Sequence, residues 1–334
     1  MRSSRSIAAV AVFAAPLLLA VPAAASEVEA RVVFSFADDD IDESSGLVDG
    51  GQVMFTVNDS GDDAVVYAVD KASGETTSVT EYSDDDVEDV EGLAPGRGDV
   101  VWAGDIGDNN LERTSVEVYR VALGEGDQQP ERYTLVYPDS PRNAEALLAH
   151  PRTGRLYVVS KAFSGGTVYS VPTSLDAAAP NEMSAVARVP GLVTDGAFFP
   201  DGRHVLIRSY GTAAVYTFPG FRQVGSVGLP SQEQGEAIAI DRTGRIYLSS
   251  EGENSDVLQI TLPATLRDAI RNGPVVSAGP PPTVPTPATT GGSTSADGSA
   301  DDGRWVWIAA AIAGLVAAGW GLSRASRPGS RRRR

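Results

Sequence analysis

The sequence predicts an all-β fold, a five-bladed β-propeller, from three observations. A small motif, polar then small then apolar, recurs five times. The same order of strand, tight turn and strand follows each copy. One strand-like segment near the start has no partners of its own. The motif reads Ser45-Gly46-Leu47, Glu91-Gly92-Leu93, Glu145-Ala146-Leu147, Asp195-Gly196-Ala197 and Glu236-Ala237-Ile238, at steps of 46, 54, 50 and 41 residues. Antiparallel four-stranded units of about 40–50 residues around an axis are propeller blades.

Each motif opens a short apolar strand. Next come turns built on Asp49-Gly50-Gly51, Pro95-Gly96-Arg97-Gly98, Pro151-Arg152-Thr153-Gly154, Pro200-Asp201-Gly202 and Asp241-Arg242-Thr243-Gly244. Their Gly and Asp residues suit hairpins. Second strands follow at 53–57, 100–103, 156–160, 205–208 and 246–249, and third strands at 65–69, 116–121, 167–171, 214–218 and 257–261. Fourth strands read at 76–82, 132–137, 185–189 and 224–229, and the fifth repeat lacks one. The segment Ala30 to Phe36 supplies it and closes the ring, so the propeller occupies 26–262. Closure matters because the chain has no Cys, and open strand edges invite aggregation. Six or seven blades with degenerate repeats are the alternatives. Leu266, Ala269 and Ile270 have helical spacing and predict a short helix at 263–272.

The two ends read as addresses. Arg2 and Arg5, an apolar run from Ile7 to Val21 and Ala23-Ala24-Ala25 make a signal peptide over 1–25. Trp305 to Leu322 carries no charge and spans about 27 Å as a helix, predicting a transmembrane segment at 304–324. Arg324, Arg327 and the Arg331–Arg334 run make a basic tail at 325–334, which stays cytoplasmic. Between body and span, 273–303 is a Pro/Thr/Ser/Gly-rich stalk. The expected location is therefore the cell membrane, single-pass, with the propeller extracytoplasmic.

The 334 residues include 44 acids, all between positions 26 and 303, while nine of the 27 bases lie outside that interval. So acidic a body disfavours nucleic acid and favours cations or a basic protein partner. Without Cys there is no thiol catalysis or Cys-ligated metal, and having only two His disfavours a multi-histidine site. His150 and His204 fall in turns on the rim away from the acids, where they read as surface residues. No Gly-x-Ser-x-Gly elbow or phosphate loop occurs, so no catalytic residue is assigned.

In a blade, the start of the first strand and the end of the second share one rim. The first strand is innermost, so its start lines the channel mouth. This places Ser45, Glu91, Glu145, Asp195 and Glu236 in a ring. Around it stand Asn58-Asp59, Asp105 to Asn109, Lys161, Arg208-Ser209-Tyr210 and Glu251. Two carboxylates about 8 Å apart repel by roughly 2 kcal/mol at an effective dielectric near 20. Lys161 and Arg208 are expected to pair with Glu145 and Asp195 of their own blades. The rest need a cation, and Ca²⁺ takes six to eight oxygen ligands. The expected metal ligands are Glu91, Asp105, Asp108, Glu145, Asp195 and Glu236. The expected ligand-binding residues are Ser45, Asn58, Asp59, Lys161, Arg208, Tyr210 and Glu251. The competing reading is architectural: each acid bonds a neighbouring blade's backbone. Asp38-Asp39-Asp40 and Asp84-Asp85-Asp86 read as solvated loop faces.

At Glu43–Leu47, Asn58–Asp62, Gly104–Asn109, Glu145–Leu147 and Glu236–Ile238 the chain resembles a family of secreted bacterial propellers to which no reaction is assigned. The resemblance covers 31–262 and implies fold and export. More distantly the chain is similar to SdiA-regulated propellers, and to calcium-dependent phytase-like and gluconolactonase-type propellers, which share acid-lined mouths. Three functions follow as expectations: a calcium-bearing binding module for an extracellular ligand or partner, a calcium-dependent hydrolase of phosphate or other esters, and a scaffold without a small-molecule site.

Overall fold

The computed structural model describes residues 28–59, 63–82 and 87–273. The signal peptide, the stalk beyond Gly273, the membrane span, the basic tail and the Asp84–Asp86 run lie outside the described residues. Among the described residues no helix is long and apolar enough to cross a membrane.

Five antiparallel sheets form the five blades, so the alternatives of six or seven blades are set aside. The inner strands are Ser44–Asp49, Val90–Pro95, Ala144–Ala149, Val193–Phe198 and Gln234–Ile240. The second strands are Val53–Asn58, Val100–Asp105, Leu156–Ser160, His204–Ser209 and Ile246–Glu251. Blade 5 takes its outer strand from the start of the chain: Glu29–Ser35 pairs antiparallel with Asp256–Thr261, with Glu29 opposite Thr261. Arg31 Nη2 donates to Gln259 Oε1 at 2.7 Å across this closure. Because Glu29 faces Thr261, the chain enters and leaves the ring on the rim of the hairpin turns.

The apolar residues assemble as five seams, one between each pair of adjacent blades, in place of one central core. Alternation produces this: each blade has two faces, and both bury a row against a neighbour. Phe34 and Phe36 of the closing segment enter the seam of blades 5 and 1 with Leu47 and Met54. The inner strands approach so closely that a Cβ on Gly46 would lie 2.5 Å from the Leu93 nitrogen.

Two short strands escaped the sequence reading. Gly126–Asp127 pairs parallel with the edge of blade 1, and Asn181–Glu182 with the edge of blade 2. Each comes from the loop of the following blade, so neighbours are stitched at their outer edges as well as at the seams. With two residues each, they carry no periodicity to detect. The helix Ala264–Asn272 forms where expected. It buries Leu266 in the seam of blades 4 and 5 and covers Gly225.

Candidate functional site

Five β-bulges build the mouth. Each inner strand loses register with its second strand at the motif: between Ser44 and Gly46, Val90 and Gly92, Ala144 and Ala146, Val193 and Asp195, and Gly235 and Ile238. A bulge leaves a residue out of the ladder and re-aims its side chain. The residues displaced are Ser45, Glu91, Glu145, Thr194 and, in the wider break, Glu236 with Ala237.

Blade 4 therefore departs from the expected ring by one position: Thr194 stands where Asp195 was placed. Hydrogen bonds agree. Ser45 Oγ donates to the Glu91 carbonyl at 3.2 Å, and Thr194 Oγ1 donates to the Glu236 carbonyl at 2.8 Å. A one-residue slip turns a side chain to the other face. Asp195 is fully buried and accepts from the N–H groups of Gly196 (2.6 Å) and Ile238 (2.8 Å). Burial raises its carboxyl well above the usual range, against those two N–H groups. It clips blade 4 to blade 5, so it leaves the set of metal ligands.

Arg208 is likewise corrected. It is fully buried, and its guanidinium donates to the carbonyls of Ala237 (2.5 Å) and Ser249 (3.0 Å) and to Gln232 Oε1 (2.7 Å). Burial lowers its pKa to about 10, with Glu236 and Asp195 opposing. It bonds the backbone of blade 5 where an ion pair with Asp195 was expected, and cannot grip a ligand.

Asp105 and Asp108 also fold the chain. Asp105 is fully buried, pairs with Arg113 Nη1 at 2.6 Å and accepts from the N–H groups of Glu88 and Asp89. Asp108 accepts from the N–H groups of Glu112 and Arg113, both at 2.9 Å, and so closes the loop that follows it. Their oxygens are engaged, which removes both as cation ligands. Asn58 Nδ2 donates to the Asp40 carbonyl at 2.7 Å and holds the loop before blade 1.

What remains is a group of three carboxylates. Asp59, Asp89 and Glu91 bring one oxygen each within 4.8 Å of one another. Asp89 lies two residues before Glu91, just outside the strand that begins at Val90. The Asp105 carboxylate holds its N–H, and Gly107 makes room: a Cβ there would lie 2.3 Å from the Asp89 carboxyl. Asp89 Oδ1 is buried without a hydrogen-bond partner. Burial, with the charges of Asp59, Glu145 and Asp105, pushes the Asp89 carboxyl up to about 7. Burial and Glu145, Asp59 and Asp89 hold Glu91 well above the usual range. An oxygen-only donor set from two blades suits a hard divalent cation.

Across the mouth, Lys161 Nζ donates to Glu145 Oε2 at 2.9 Å, as expected, and lies 5.2 Å from the centre of the Tyr210 ring. Burial pulls the Lys161 pKa down, but Glu145, Tyr210 and Glu236 outweigh it and raise it. Asn143 Nδ2 donates to Glu145 Oε1 at 3.0 Å. Burial raises Glu145, opposed by Lys161. Gln234 Nε2 donates to Glu251 Oε1 at 2.5 Å. Burial, with Asp59 and Glu43, pushes Glu251 up to about 8. Glu236 is 4% exposed, and its Oε2 has no hydrogen-bond partner. Burial raises it well above the usual range, Lys161 opposing and Glu145 and Glu251 adding.

Sequence reasoning missed Asp89, Asn143, Thr194 and Arg113. A signal for two of them was present. The position two before each displaced residue reads Glu43, Asp89, Asn143, Leu192 and Gln234, polar in four blades.

A cavity of about 1040 Å³ opens on the opposite rim among the hairpin turns and is walled by Leu47, Leu93, Leu147 and Ile238. No expected site residue lines it. Its walls gather no unpartnered buried polar side chain, and for that reason the acidic mouth is the better candidate site. His150 and His204 sit on that rim but are buried, a correction to their surface reading. His150 Nε2 donates to the Gly202 carbonyl at 3.0 Å, and His204 Nδ1 bonds Asp201 Oδ2 at 2.7 Å. They secure turns.

No protein-family model and no curated protein matches this sequence. Among solved structures the chain is similar to Myxococcus xanthus glutaminyl cyclase (13% identity, 71% of this chain and 100% of that one, TM-score 0.46). It is also similar to a luciferin-regenerating enzyme (12% identity, 67% and 80%, TM-score 0.44) and to a gluconolactonase from Xanthomonas campestris (16% identity, 65% and 70%, TM-score 0.42).

Proposed function

We propose that this protein is an extracytoplasmic binding module, exported by its signal peptide and tethered by the span at Trp305–Leu322, whose acidic mouth holds Ca²⁺ and recognises a ligand. The observation that carries the reading is the group Asp59, Asp89 and Glu91, with an unsatisfied buried oxygen on Asp89. Such a group is costly without a cation, because each buried carboxylate must stay protonated or repel its neighbours. A divalent ion neutralises the cluster and gives Asp89 Oδ1 a partner. The hydrolase reading is weaker. Arg208 is inside the protein and Lys161 is occupied by Glu145, so no free base grips an anionic substrate among the expected residues. The acidic mouth and body also argue against nucleic acid.

Thermal unfolding of the full chain tests this. Added Ca²⁺ raises the Tm, EDTA reverses the rise, and in Asp89→Asn the rise shrinks to under about half, since ligand binding stabilises only as far as its affinity allows. Identical Tm values with Ca²⁺ and with EDTA would overturn the calcium site.

A further inference from the structure

Four large apolar side chains are prominently exposed among the described residues: Val32, Leu111, Phe163 and Tyr210. Three of them share one rim. Leu111 follows the second strand of blade 2, Phe163 that of blade 3 and Tyr210 that of blade 4, all on the side of the acidic mouth. Their exposures are 55%, 84% and 38%. Single exposed apolar residues are ordinary, but a grouping beside a functional opening marks contact with a partner. Leu111 is also held at φ 57°, in the left-handed region that disfavours a leucine. The Asp108 turn fixes it there: the Leu111 N–H donates to the Asp108 carbonyl at 3.0 Å.

Beside this crescent lies a second acidic group, made of other residues than the three carboxylates of the calcium reading, although Glu251 feels the charge of Asp59. Glu236 and Glu251 belong to blade 5. Glu236 is more than nine-tenths buried, its Oε2 lacks a partner, and the charges it feels are those of Lys161, Glu145 and Glu251 at the mouth and of the buried Arg208. Lys161 is committed by contact to Glu145 and offsets the charge of this pair only in part, both carboxyls staying raised. Tyr210 adds a ring within reach of the Glu236 charge. Two carboxylates and an apolar rim match a Lys or Arg side chain flanked by apolar residues.

We infer that the mouth rim docks a protein segment that inserts one Lys or Arg side chain against Glu236 and Glu251, while its flanking apolar residues pack on Leu111, Phe163 and Tyr210. This rests on the reading of the mouth as a binding site and names the partner's chemistry. Charge complementarity selects that occupant: a second copy of this acidic rim, or an anionic membrane, would be repelled.

The test is a peptide array probed with the full chain in detergent. A central Lys, Arg, Glu or norleucine is flanked by degenerate positions, in Ca²⁺ and in EDTA. The wild type is expected to prefer Lys or Arg centres with apolar flanks. Glu236→Gln, close to isosteric, loses the central preference by roughly tenfold, as removal of one member of a buried charge pair does. Phe163→Ala, at a site too exposed to affect folding, keeps the central preference and loses the flank preference. Equal binding of Glu and Arg centres, or a cation preference that survives Glu236→Gln, overturns the inference. Unchanged flank preference in Phe163→Ala removes the apolar part. Since Glu236 and Glu251 are outside the calcium group, a cation preference that persists in EDTA supports docking even where the Ca²⁺ effect on Tm is absent. A preference seen only in EDTA means the peptide fills the Asp59–Asp89–Glu91 group, and overturns the placement.

Discussion

Arg208 and Asp195 show how little a residue's charge says about its task. Both were expected at the mouth, and both are buried clips between blades 4 and 5. The guanidinium of Arg208 satisfies two carbonyls and Gln232, so its loss strands buried acceptors. Arg208→Ala is expected to cost about 3 kcal/mol or more. Arg208→Lys recovers little, because an ammonium cannot reproduce the planar fork. Urea unfolding of the two variants measures both, and a loss within about 0.5 kcal/mol, typical of a surface substitution, would deny the clip. Gly107 makes the complementary case at the mouth. Gly107→Ala drives a methyl into the Asp89 carboxyl, so Ca²⁺ should no longer raise the Tm although the fold survives. Calorimetry with and without the ion checks it.

The strands were the most legible level. Inner strands, hairpin turns, second strands and the closing segment were all readable, because alternation and turn chemistry repeat five times. The bulges were not. A bulge leaves no mark on composition, and in blade 4 it shifts the ring position from Asp195 to Thr194. The engagement of Asp105 and Asp108 was equally hidden, since Arg113 folds back from a loop with no periodicity. The inner strands also carry a prediction of their own. Gly46→Ala places a methyl against the Leu93 backbone and forces blades 1 and 2 apart, at an expected cost of about 1–3 kcal/mol. A chemical-denaturation midpoint equal to that of the wild type would mean the seam relaxes freely.

The whole ring depends on its first strand. Deleting 29–35 exposes the edge Asp256–Thr261 and withdraws Phe34 from the seam of blades 5 and 1. The expected result is a shift to larger species or aggregates, relative to the wild type, on size exclusion. An elution position matching the wild type would show that closure is dispensable. Acidity acts at the same scale. In the metal-free protein Asp89 titrates at about 7 and Glu251 at about 8, both raised chiefly by burial. Raised carboxyls stay protonated in the folded chain after the unfolded chain has released its protons. Their favourable term is complete below the unfolded pKa of about 4 and is lost as pH climbs through the folded values. The Tm should therefore fall between about pH 5 and pH 8, by about 2–4 °C per kcal/mol for a domain of this size. Ca²⁺ should flatten the fall. Scanning fluorimetry across that range decides it, and a Tm that climbs with pH contradicts burial as the dominant influence on these two carboxyls.

The pairing of Glu29 with Thr261 brings the described chain into and out of the ring on the turn rim, and the closing helix stays on that side, beside His204. Neither crossing obstructs the charged opening on the other rim, so the strand that locks the ring does so without narrowing its doorway.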